Sequence, residues 1–286
     1  MDNLLTDFIK LAFFATGISF GLIAYMRYKQ NQGLKAQGLS ALQAIRLLIT
    51  QIQRHRGLTI AVRADRTEFE HQITETETKV SYQLHQIANL SPVLGEKSEW
   101  EAITQHWARL AGNCRKLPPE VNIEQHSRLI GNLLVFIDEL CVVHQLTGST
   151  HNNLAKWREL LMLSEYIGQA RALGTWVSIA QSDTTTHSPG SADEKLIRLN
   201  NQILETLESP QSKKIMDSFT VQLVVDYLIY VDKHVLMEDP AISSTEFFNK
   251  STEILSQLFE CMDEEIYQEH QKVNGDGRLT TSHNYQ

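Results

Sequence analysis

Residues Ile49 to Ala61 read ITQIQRHRGLTIA. The pattern is helical: stepping back from Arg56 by four, three and four residues gives Ile52, Ile49 and Ile45, a stripe that faces a core. Arg56 therefore falls on the face expected to be buried, where a guanidinium must find a partner or bear a heavy desolvation cost. Arg54 lies about 200° around the same helix, beside Thr50, Gln51 and Leu58. A second helix, IGQARALGTW, repeats the pattern. Its stripe runs Leu160, Leu163, Ile167, Arg171, Gly174 and Ser178, with the small residues Gly168, Ala170, Ala172 and Gly174 leaving space beside Arg171. Two core-facing arginines in different halves of a chain can converge on one small planar oxyanion, because the guanidinium fork donates paired N–H bonds. The competing reading is that each is ion-paired to a helix glutamate, with Arg54 simply solvated.

Outward from these stretches the chain is punctuated sparsely. Its 286 residues hold only 6 prolines and 14 glycines, which favours an all-α fold. Helices are expected from about Leu39 to Arg63, then to Asn89, from Lys97 to Asn113, from Pro119 to Leu146 and from Leu154 to Gln181. Three more follow, over Glu194–Glu208, Ser212–Met237 and Ser243–Lys272. Eight helices in two sets of four predict two packed four-helix bundles, joined side by side or sharing long helices. Ser182 to Asp193 reads as the clearest internal loop, and residues 273–286 as a disordered tail.

Residues 1–30 carry a different signal. From Leu11 to Met26 the chain is uncharged, and Phe8 and Ile9 extend the run across Lys10, close to the ~20 residues of a spanning helix. Asp2 and Asp7 ahead of it, and Tyr25, Met26 and Arg27 after it, argue against a cleaved signal peptide. The expectation is one N-terminal transmembrane helix through residues 8–26, with residues 31–38 as a linker. Arg27, Lys29 and Lys35 would keep the bulk of the chain cytoplasmic, as a single-pass protein of the inner membrane.

The formal net charge of −8 argues against a general nucleic-acid binder, so no nucleic-acid partner is expected. Cys114, Cys141 and Cys261 lack a CxxC spacing, and the 11 histidines show no HxxxH or HExxH. No nucleophile elbow or phosphate loop occurs. The chain is therefore not expected to be an enzyme, and no catalytic residue, metal ligand or cofactor is assigned.

Three stretches together resemble one family. LLITQIQRHRGLTIAVRADRTEFEHQI (Leu47 to Ile73) is similar to the opening Q-x-E-R-G-x-S pattern of the nitrate- and nitrite-sensing domain of bacterial signalling proteins. EYIGQARALGTW (Glu165 to Trp176) is similar to its mid-domain arginine helix, and EFFNKSTEILSQLFECM (Glu246 to Met262) to its late aromatic and threonine helix. The resemblance spans roughly residues 38–272. It implies an all-helical sensor over residues 39–272 that binds nitrate or nitrite between two bundles. Arg56 takes the place of the arginine before glycine, Arg171 that of the mid-domain arginine, and Arg54 stands just ahead of the first. Lys250 and Glu253 stand where a late-helix arginine would be sought. In the family the domain usually precedes an output domain such as an RNA-binding antiterminator, a kinase or a chemotaxis module. Because this chain ends soon after its last helix, the expected output is a separate protein, and a homodimer is a further expected assembly. The alternative is a helical adaptor that kept the fold without the ligand.

Overall fold

The computed structural model describes residues 2–62, 68–146, 151–182, 190–236 and 242–275, and these are helical almost throughout. In chain order the helices are α1 (Asp2–Ala61), α2 (Glu68–Leu90), α3 (Pro92–Gly95), α4 (Ser98–Asn113), α5 (Pro119–Val143), α6 (His151–Ser182), α7 (Gly190–Glu208), α8 (Pro210–Ile215), α9 (Ser218–His234) and α10 (Ser244–Gly275). The C-terminal half of α1 packs with α2, α4 and α5 as one bundle, and α6, α7, α9 and α10 form the other. The two share a seam, because α1 also lies against α6 and α10, and α5 lies against α6. One apolar core runs through both halves, from Leu42, Ile45 and Ile49 through Leu133 and Ile167 to Leu258 and Met262.

α1 is a single 60-residue helix, about 90 Å long. It runs without interruption through residues 31–38, the stretch expected to be a linker. Neither glycine there breaks it, since one glycine costs a helix only about 1 kcal/mol. Gly38 has a packing role instead: a β-carbon there would lie 2.4 Å from Cβ of His144. His144, just past α5, faces the Leu34 carbonyl through Nδ1 at 3.0 Å and the Ser91 hydroxyl through Nε2 at 2.8 Å. α1 enters the core from this clasp onward, whereas residues 10–30 are exposed. By length and composition the apolar part of α1 is able to cross a membrane, and none of that window is buried against the protein.

The expected seventh helix is divided at Met216. Asp217 ends the short α8 and starts α9 by accepting the backbone N–H of Thr220 at 2.7 Å, the arrangement of an N-cap. The sequence D-S-F-T carried that signal. Asp217→Ala should lower stability by about 1 kcal/mol, read from the urea unfolding midpoint at constant slope. The turn at Ala64 and Asp65, residues 183–189 of the expected loop and residues 276–286 of the expected tail lie outside the described residues. Within the last two segments α7 already begins at Gly190, and α10 continues to Gly275.

Candidate functional site

Both arginine-bearing stripes face the core as their spacing predicts: Arg56 is 0% exposed and Arg171 is 3% exposed. Their environments differ. Arg56 forms a two-point pair with Glu165 of α6, NH1 to Oε1 at 2.7 Å and NH2 to Oε2 at 3.2 Å. The Ser127 hydroxyl accepts a further bond from NH1 at 2.8 Å. Glu165 also accepts the side-chain amides of Gln53 at 3.1 Å and Gln169 at 2.8 Å. This carboxylate is saturated by donors from two helices, which is the condition for a buried ion pair to be tolerated. Gly168 makes room for it, since a β-carbon there would lie 2.7 Å from NH2 of Arg56.

Arg171 has no such counter-charge among the described residues. NH1 donates to the Thr252 hydroxyl and NH2 to the main-chain carbonyl of Gln53, both at 2.9 Å. Two of its five N–H groups are thus engaged, and the buried Nε–H has no partner among the described residues. The Phe248 ring covers the guanidinium at 4.8 Å. Burial, and after it the Arg56 charge, push Arg171 down to about 9, so at neutral pH it stays charged. Arg171 is thus a buried cation held only by neutral oxygens and an aromatic face.

Arg171 opens onto a cavity of about 460 Å³ at the seam of α1, α2, α6 and α10. A water molecule's share of liquid is about 30 Å³, so the cavity has room for a small molecule together with several waters. Thr50, Gln51, Arg54, Gln72, Thr175, Asn249, Thr252 and Ser256 supply its polar lining, and Leu58, Phe69, Phe248 and Phe259 its apolar walls. Arg54 stands at the exposed rim, its NH2 3.3 Å from the Gln72 side-chain oxygen.

The structure therefore brings Arg54 and Arg171 to one cavity. Arg56 is held behind it by Glu165, so the ion-pair reading applies to Arg56 and not to Arg171. Gln53 joins the two sites, with its carbonyl on Arg171 and its side-chain amide on Glu165. Sequence reasoning missed Thr252, Phe248 and Gln53. The late-helix motif contains the first two, whereas Lys250 and Glu253, standing where an arginine was expected, pair with each other at 2.8 Å on the exposed side of α10. Gly57 completes the site: a β-carbon there would lie 2.5 Å from the Phe248 ring, so glycine lets α10 bring that ring across Arg171.

Among solved structures, one that matches is the NasR transcription antiterminator, over 90% of this chain and 74% of that one, with a TM-score of 0.68 and 16% identity. The chain shares its fold with NasR. No family model and no curated protein matches it. An antiterminator is one of the outputs that the resemblance implied, and what the match itself shows is the shared fold.

NasR corrects two expectations. The exclusion of a nucleic-acid partner does not hold, because a protein with this fold is a transcription antiterminator, and transcription is a nucleic-acid process. A net charge of −8 averages over the whole surface and does not decide what one patch binds. The assignment to the inner membrane as a single-pass protein does not hold either. The shared fold is that of a protein of transcription, and the apolar window of α1 carries length and composition alone, in a helix that continues unbroken into the core.

Proposed function

We propose that this chain is a regulatory sensor of a small planar oxyanion, nitrate or nitrite, held by Arg171 in the cavity between α1, α6 and α10. The observation that carries the reading is a guanidinium 3% exposed, without a carboxylate partner among the described residues, opening onto a polar-lined cavity. In this reading Arg54 adds a second positive charge at the rim, and Arg56 keeps α1 and α6 in register through Glu165. An anion on Arg171 neutralises the charge that strains the seam. It favours the packing of α1, α6 and α10 in which the cavity is closed, and the population shift reaches a partner through those helices.

Calorimetric titration of the full chain with nitrate and nitrite, against chloride and sulfate at matched ionic strength, tests this. The expected result is saturable binding of nitrate or nitrite at one site. Equal weak responses to all four anions would contradict it and leave the ligand-free helical adaptor in front, the reading favoured by the Lys250–Glu253 pair where a late-helix arginine was sought. Arg54→Ala should weaken nitrate binding several-fold and leave the urea midpoint unchanged, since a rim charge adds attraction while its hydrogen bond is exposed.

A further inference from the structure

A second polar cluster lies in the first bundle, away from the cavity and independent of the anion reading. His55 of α1, Glu77 of α2 and Cys114 at the end of α4 place one ligand-type atom each within 4.8 Å of one another. We propose that these three side chains bind a divalent cation of the zinc class.

The argument begins with the hydrogen-bond chain behind His55. His126 Nδ1 faces the Asn122 carbonyl at 2.8 Å; a carbonyl only accepts, so this nitrogen carries the proton. His126 is fully buried and meets no carboxylate among the described residues, so its Nε2 is an acceptor. His55 Nδ1 lies 2.8 Å from that Nε2 and must donate to it. The remaining ring nitrogen of His55, Nε2, is then turned by this chain toward Glu77 Oε1 at 3.4 Å and toward Cys114. An imidazole that donates from one nitrogen to an oriented acceptor and presents the other to a carboxylate and a thiol has the arrangement of a metal-ligating histidine with its supporting hydrogen bond. Trp107 meets the His55 ring edge-on at 5.0 Å and fixes its plane.

The donor set suits the ion. Zinc accepts imidazole nitrogen, thiolate sulfur and carboxylate oxygen at about 2.0–2.3 Å, which in a tetrahedral site separates ligand atoms by about 3.3–3.8 Å. The observed triangle, with sides of up to 4.8 Å, is wider than that, and closing it falls to the side-chain torsions of Cys114 and Glu77. His55 and Cys114 are buried, while Glu77 is partly exposed and marks the way in. The same Glu77 Oε1 also accepts Arg115 NH1 at 2.9 Å, so Oε2 is the oxygen left for the ion while Arg115 keeps the other. Binding releases the Cys114 thiol proton to solvent and leaves a fourth position for water. The ion would tie α1, α2 and α4 together one residue from Arg54 and from Arg56.

Chelator-treated full-length protein titrated with cobalt(II) and with zinc(II) tests the proposal. The expected result is a thiolate-to-cobalt charge-transfer band in the near ultraviolet that saturates at one equivalent, with a zinc-dependent rise in unfolding temperature. Cys114→Ser should abolish the band while keeping the helical circular dichroism of the parent. Glu77→Gln, at the exposed rim, should weaken cobalt binding at least tenfold and serves as the second variant should Cys114→Ser fail to fold. A folded parent without the band, a band that persists in Cys114→Ser, or unchanged affinity in Glu77→Gln would overturn the assignment and leave His55 and Glu77 as an ordinary ion pair.

Discussion

Replacing Arg56 by alanine should cost the protein about 3–5 kcal/mol. The loss comes less from the removed attraction than from what remains. Glu165 is 4% exposed, and without Arg56 it keeps only the amides of Gln53 and Gln169 as donors. An unpaired carboxylate at the seam of two bundles must take up a proton, draw in water or push the helices apart. The double replacement Arg56→Met with Glu165→Leu should recover most of the loss, because it removes both charges and refills the volume. Urea unfolding with an unchanged slope is the measurement. A single-variant loss below about 1 kcal/mol would show that the pair is not buried as described.

Arg171→Met should behave in the opposite way. Its stability without ligand should equal or exceed that of the parent, because the change removes a desolvated cation repelled by Arg56 and keeps most of the apolar volume. Little is orphaned. The Thr252 hydroxyl still donates to the Phe248 carbonyl at 2.7 Å, and the Gln53 carbonyl belongs to α1 and remains in its helical ladder. What disappears is the response to anion. A ligand that binds only the folded parent at a hundredfold excess over Kd adds about 2.7 kcal/mol, and this should fall to nothing in the variant. Two arginines with the same sequence signature are thus separated by the sign of their effect on the ligand-free protein.

That signature shows how far sequence carried. The all-helical class and most helix positions follow from apolar spacing and from the scarcity of proline, and both arginines lie on the faces their stripes predicted. Spacing on one helix says which way a side chain points and not what it meets. Glu165 lies in a different bundle from Arg56, and nothing local to either sequence links them. The small residues around Arg171 were read as room for its own guanidinium. In the fold Gly168 admits Arg56, and Gly174 admits Phe247, whose ring a β-carbon would approach to 2.3 Å. Gly38 was read as a joint and is a helix contact. His55 and Cys114 are brought together only by the packing of α1 against the end of α4, so no motif scan joins them. The apolar run of residues 11–26 was legible as composition, and the bilayer expectation rested on length and composition alone.

The most direct test of the anion reading is thermal unfolding of the parent and of Arg171→Met, side by side, across a nitrate series with chloride making up the ionic strength. The account predicts a saturable rise in unfolding temperature for the parent and a flat line for the variant, which starts at or above the ligand-free parent. Parallel rises in both proteins would contradict it, since nitrate would then stabilise the fold without the one buried guanidinium that opens onto the cavity.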